Sequence, residues 1–381
     1  MKLIFIFVFF LFHINLSKLF AKEVRHLVRS PRALLMGDAY TSLVEDEYIL
    51  FYNPAAIGKT FGVYLTPLNV DLGVTNFYDD QAKFKNLPKT APGIASRFMG
   101  YPIYLHAGYN PGFRFGPFAF NYYLSNTSSM VMHNIVHPFI DIDYRYDRGF
   151  TFGFAYTIGK SAKKNYKTKK KTTPTGRRTS FGFSTKFISR ESIAENISLY
   201  STTLLNQIAT SGGDTAALKR ALGFSKGDGW GGDLGIEHAI THGSTELTAA
   251  FSILDVANTR INRHEGTRKI PVQEMSVNSG ISFKQDFTIL DYSFSLDLHP
   301  LNQNIDFMRK LHMGFQLGLP LVRAYAGLSE GYVSYGLGLR LWPIEILAGV
   351  YSVELGTKYK DQQGKRALIY INLLDFSFDV M

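Results

Sequence analysis

Asp141, Asp143, Arg145 and Asp147 alternate with Ile140, Ile142, Tyr144 and Tyr146. On an extended strand the four charges project from one face. Such a row suits an internal ion network or a ladder that guides a solute, and Arg145 is expected to pair with the acids beside it. Facing lipid at mid-depth, the arginine would cost about 2–4 kcal/mol. The row must therefore face a lumen or stand above a membrane. His133 and His137 have the i, i+4 spacing of two metal ligands on a helix, but Pro138 and the following strand make them loop residues, and no metal is expected. Gly227, Gly229 and Gly232 spell the glycine pattern of dinucleotide sites. With no strand before it and no helix after it, the pattern predicts no such site. No zinc-protease, P-loop or nucleophile-elbow motif is present. The chain has no cysteine, which excludes disulfides, thiolate metal sites and a cysteine nucleophile. These residues read as a protein that is not an enzyme and carries no cofactor.

The elements holding these residues read as strands. Phe150, Phe152, Phe154, Tyr156 and Ile158 alternate with Thr151, Gly153, Ala155 and Thr157. The same period of two runs through 234–240, 292–299, 313–319 and 335–341. By this criterion the chain holds about 13 to 16 strands. In a soluble sandwich the second face would carry Lys, Glu and Arg. Here it is largely Gly, Ser, Thr and Ala, against a face of Phe, Tyr and Leu; the 381 residues include 31 Phe, 22 Tyr and 34 Gly. The pattern fits a closed barrel turned inside out, apolar toward lipid and small or polar toward the lumen.

Three segments depart from the strand pattern. Residues 1–21 read as a cleaved export signal: Lys2, ten apolar residues from Leu3 to Phe12, then a short exit ending at Ala21. Residues 160–178 read as an exposed basic loop. Its bases are Lys160, Lys163, Lys164, Lys167, Lys169, Lys170, Lys171, Arg177 and Arg178, and it contains no acid. They make up most of the formal net charge of +10. Gathered in one tract and not spread over a folded face, they point to lipid phosphates or an acidic partner, and not to nucleic acid. Residues 189–223 read as a helical insertion, because Ile193, Ile197, Tyr200, Leu204 and Ile208 recur at helical steps after a capping box at Ser192–Glu195.

The N-terminal stretch carries a resemblance. Ser30-Pro31-Arg32-Ala33-Leu34-Leu35-Met36-Gly37-Asp38-Ala39-Tyr40, the acidic run Glu45-Asp46-Glu47, and Phe51-Tyr52-Asn53-Pro54-Ala55-Ala56 resemble the N-terminal signature of FadL-like and PorV-type outer-membrane barrels. The chain departs from it at Asp38 and Ala56, where the family has Gly. The resemblance implies an all-β, transmembrane antiparallel barrel of about 14 strands, spanning residues 60–381. It also implies that residues 22–59 fold into the lumen as a hatch. Asn53, Pro54, Ala55 and Ala56 would gate it.

Taken together, these readings place the chain in the outer membrane of a Gram-negative bacterium, beside outer-membrane lipid and lipopolysaccharide. The resemblance implies passive uptake of hydrophobic small molecules such as long-chain fatty acids. The PorV-type relatives imply an alternative, a non-transport scaffold for protein secretion or surface anchoring. In that case the basic loop and the helical insertion would dock a secretion or surface-protein partner.

Overall fold

The computed structural model describes residues 23–59, 62–78, 80–86, 88, 91–134, 139–160, 175–198, 222–287, 289–374 and 376–379. The strands are β1 (Gly62–Thr66), β2 (Leu68–Thr75), β3 (Ile103–Tyr109), β4 (Gly112–Phe115), β5 (Phe118–His133) and β6 (Phe139–Lys160). They continue as β7 (Thr175–Ser198), β8 (Ser225–His242), β9 (Thr245–Leu254), β10 (Asn262–Gly266), β11 (Ser276–Asp286) and β12 (Asp291–Leu298). The last six are β13 (Leu311–Gly318), β14 (Val322–Ser329), β15 (Tyr332–Leu341), β16 (Ile344–Glu354), β17 (Gln363–Leu373) and β18 (Phe376–Asp379).

These segments build a closed ring of fourteen antiparallel staves. Three staves are each made of two segments. Pro67 interrupts β1 and β2, Pro111 lies between β3 and β4, and Leu374, with a φ of +67°, follows β17. Proline has no N–H to give to a ladder, so it breaks a stave where it falls. Closure comes from β17 pairing with β2 and β18 pairing with β1, which leaves no free edge. Strand β10 adds no stave. It extends the ladder of the long β8 beyond the end of β9.

The wall is apolar outside and polar inside. Along β6, Phe150, Phe152 and Phe154 are exposed while Thr151 and Gly153 between them are buried. Tyr156 and Leu337 are each 61 % exposed, whereas Ser180, Ser184 and Ser252 are at 0 %. This is the reverse of a soluble sheet and matches a barrel solvated by lipid. Both tryptophans point outward, Trp230 near the start of β8 and Trp342 in the turn between β15 and β16, at opposite ends of the barrel. Trp230 meets Phe150 edge-on and lies tilted against Phe187. Such aromatic belts mark the two membrane interfaces.

The two ends of the barrel differ. At one, two- to four-residue turns join β4 to β5, β8 to β9, β11 to β12, β13 to β14 and β15 to β16. The other carries the longer connections, including 76–102, with its helices Gln81–Phe84 and Ala91–Phe98, and 255–275. Lys160 and Thr175, which flank the basic tract, lie at the short-turn end.

Two expectations are corrected. Arg177 and Arg178 belong to β7 and not to an exposed loop. Arg178 is buried in the lumen, with Nη2 donating to Glu237 at 2.7 Å. The lysines Lys163, Lys164, Lys167, Lys169, Lys170 and Lys171 lie outside the described residues. The helical insertion does not begin at 189. Residues 189–198 continue β7, where Ser192 pairs with Arg145 on one side and Ser225 on the other. Ile193 and Ile197 are four apart, a spacing that satisfies both a helical turn and a strand's alternation, so periodicity alone could not separate the two. Tyr200, Leu204 and Ile208 lie outside the described residues, as do residues 1–22.

Candidate functional site

The lumen is filled by the chain's own N-terminal segment. From Glu23, near the long-connection end, residues 23–59 run through the barrel to Lys59 at the short-turn end. The segment contains the short helices Pro31–Leu35 and Ile49–Tyr52 and a 3-10 turn at Pro54–Lys59. Pro31 opens the first helix, where its missing N–H costs nothing. Asn53 caps the 3-10 turn, its Oδ1 accepting from Ala55 N at 3.0 Å. The segment's own apolar core (Leu35, Met36, Tyr48, Ile49, Leu50 and Ile57) packs on inward wall residues such as Tyr123, Ile188, Leu347 and Tyr370.

Residues 36–48 form no helix or strand, yet they are almost all buried, so their backbone groups need partners. Turns within the segment supply some, such as Tyr40 O for Val44 N, and the wall supplies others. Thr41 N donates to Asp297 at 2.6 Å, and Gly37 N donates to Ser334 Oγ, which in turn donates to Leu35 O. Asn121 donates to Glu47 O at 2.8 Å, and Arg114 to Glu45 O at 2.9 Å. Further down, Ser252 donates to Tyr52 O. The small polar inward face therefore has a physical reason: it leaves room for the plug and satisfies its irregular backbone.

Ion pairs join plug and wall along the lumen. Arg366 grips Glu23 with two bonds of 2.7 Å, and Arg32 pairs with Glu345 at 2.5 Å. Lys284 reaches Glu45 at 2.7 Å, and Lys59 lies 3.3 Å from Glu237. Burial opposes ionisation of Glu23, but Arg25 and Arg366 hold its carboxyl well below the usual range. Glu47 behaves oppositely: burial and the neighbouring Asp46 push it up to about 8, and Tyr370 and Tyr64 donate to its oxygens.

The structure places the expected residues as follows. Asn53, Pro54, Ala55 and Ala56 are fully buried where the plug meets β7 and β8. Asp143, Arg145 and Asp147 face the lumen on β6. Arg145 donates to Asp143 at 3.0 Å, and Asp147 receives two bonds, of 2.6 and 2.9 Å, from Arg190. Arg25 of the plug lies 3.4 Å from Asp143. Asp141 is exposed at the long-connection end. Arg190, Glu23 and Arg366 were not singled out from the sequence, because their partners lie far away along the chain. His133 stacks on Phe139, and His137 is outside the described residues.

A cavity of about 300 Å³ opens beside the start of the plug, at the long-connection end. Its lining is mixed. Arg25, Asp141, Asp143 and Arg366 line it together with Tyr104, Val131 and Leu355. A smaller space of about 60 Å³ continues deeper, past Tyr104 and His106. The arrangement can accept an amphipathic molecule, but the plug stands between it and the short-turn end.

No family model matches the chain, and no curated protein matches it in sequence. In structure it is similar to a deltaS2 mutant of the TodX monoaromatic hydrocarbon channel, at 12% identity over 93% of this chain and 99% of that one, with a TM-score of 0.46. It is similar to the Ralstonia pickettii toluene transporter TbuX, at 12% identity over 91% and 98%, with a TM-score of 0.43. The Pseudomonas putida toluene transporter TodX aligns at 10% identity over 96% and 100%, with a TM-score of 0.37. On its own pairings, this chain is an all-β, closed antiparallel barrel of fourteen staves plugged by its N-terminal segment.

Proposed function

We propose that this protein is a FadL-like outer-membrane channel that admits hydrophobic or amphipathic small molecules, long-chain fatty acids among them, by passive diffusion. The long connections would face outward and the short turns the periplasm, as in bacterial barrels generally. The observation that carries the reading is the mixed cavity above a plug tied to the wall through side chains. An acyl or aromatic body would rest on Tyr104, Val131 and Leu355, and a polar head would meet Arg25 and Arg366. Residues 22–59 act as the hatch. Passage requires their ion pairs to the wall to part, with Asn53 to Ala56 moving away from β7 and β8. The energy is the concentration difference. Cells carrying or lacking the gene are compared for uptake of a labelled long-chain fatty acid. Faster uptake with the gene supports the channel, and equal uptake contradicts it.

A second reading is a scaffold for secretion or surface anchoring. It is favoured by the anchoring of the plug at four levels, from Glu23–Arg366 to Lys59–Glu237. Crosslinking in intact membranes distinguishes the two: a stoichiometric protein partner supports the scaffold, and a lipid co-purified in the lumen supports the channel.

A further inference from the structure

Asp38 adopts a φ of +62°, in the left-handed region. Glycine is at ease there, and Asp and Asn are among the few other residues that tolerate it. Asp38 brings a carboxylate to a place where glycine would bring nothing. His26 approaches the same place from the extended start of the plug, before its first helix, and His299 from the connection between β12 and β13. One ligand atom from each of the three lies within 4.8 Å of the others. Among the described residues this is the one such group of metal-ligating side chains. His299 lies 261 residues from Asp38 along the chain, and it meets the two plug residues only because the plug fills the barrel.

The surroundings hold the rings in place. His312 on β13 stacks flat on His299, with centroids 3.9 Å apart and planes within 4°. Its Nδ1 lies 2.9 Å from Gly37 O and its Nε2 3.2 Å from His299 O. His299 Nε2 lies 3.0 Å from the Asp38 carbonyl oxygen. His26 meets the His299 ring edge-on at 5.9 Å.

We propose that His26, Asp38 and His299 bind a divalent transition-metal cation of the zinc class, which fastens the plug to the barrel wall. Two imidazoles and a carboxylate form a familiar three-residue donor set, with the fourth position left to water. Four-coordinate bonds of about 2.1 Å set donors roughly 3.4 Å apart, so the ligand atoms draw together by up to about 1.4 Å on binding. The cation also competes with Arg29, whose Nε is 3.4 Å from Asp38 Oδ2. Arg29 keeps a second acceptor, Val24 O, at 3.1 Å. Tyr52 donates to the other Asp38 oxygen at 2.9 Å and holds the carboxylate in orientation.

The test is a titration of Co2+ into the full-length protein, folded in detergent and first stripped with a chelator. The expected result is one Co2+ per chain, with the visible absorption of a four-coordinate site, displaced by Zn2+. D38G relieves the backbone and removes only the carboxylate, so it should fold and bind Co2+ at least about 100-fold more weakly. D38N, which also tolerates the left-handed backbone, takes its place if D38G does not fold. Equal Co2+ affinity in wild type and variant, or no visible band in the folded wild type, overturns the proposal.

Discussion

Gly182 of β7 and Gly235 of β8 sit directly opposite each other, and together they form the notch that seats the plug. A Cβ on Gly182 would overlap Ala55 N, and one on Gly235 would overlap the Asn53 side chain. Two glycines in register on neighbouring strands thus receive Asn53, Pro54 and Ala55. The wall and the plug are shaped to each other at this point.

Filling that notch should loosen the plug. G182V is expected to lower unfolding stability by about 1–3 kcal/mol, the usual cost of overpacking, and to expose the plug to protease. G232A, where an added Cβ meets only ordinary contacts, should stay within about 0.5 kcal/mol of wild type. Denaturant unfolding and limited proteolysis read both variants.

The Arg32–Glu345 pair is buried, and losing one partner strands the other charge. R32A is expected to cost about 3–5 kcal/mol, while the apolar double variant R32M/E345L should recover most of that loss. A double-mutant cycle in denaturant measures the coupling. Independent, additive losses would show that the pair does not hold the plug.

Stability should depend on the protonation of Glu47. Its carboxyl is pushed up to about 8 by burial and by Asp46. The folded protein therefore keeps this proton between about pH 4.5 and 8, while the unfolded chain releases it. Folding stability contributed by this group is full below the unfolded value and falls as pH rises through that window. E47Q should remove this slope. Unfolding curves at pH 5, 7 and 9 for both proteins test the sign.

The row on β6 separates into two strengths. Arg190 is completely buried and carries Asp147, so R190A should cost about 3–5 kcal/mol. Arg145 shares Asp143 with Arg25, so R145A should cost less, about 1 kcal/mol, and alter permeation through the cavity beside it. Thermal unfolding together with solute flux into liposomes measures both effects.

Much of the wall was readable in the chain. The alternation through Phe150–Ile158 depends only on the two-residue period of a strand, and the replacement of charged residues by Gly, Ser and Thr on its other face told inside from outside. The inward row of Asp143, Arg145 and Asp147 was readable for the same reason. What the alternation could not show was why the inward face is small. That depends on the docking of residues 36–48, which have no period of their own. Arg178 was concealed by its neighbourhood, since a run of bases reads as a solvated loop until Glu237, 59 residues away, is placed beside it. Glu23–Arg366 and His26–Asp38–His299 are tertiary meetings between the plug and distant residues of the barrel, and no local spacing announces them.

The central claim is that the Phe- and Leu-bearing face of the barrel touches lipid. In a chain whose Trp230 and Trp342 are replaced by Phe, a single tryptophan at Phe152 or at Leu337 reports its surroundings when the protein is reconstituted with acyl-brominated lipid. The account predicts strong quenching of both by the brominated chains and none by a water-soluble quencher. Quenching from water alone, with no effect of the bromine, would contradict it.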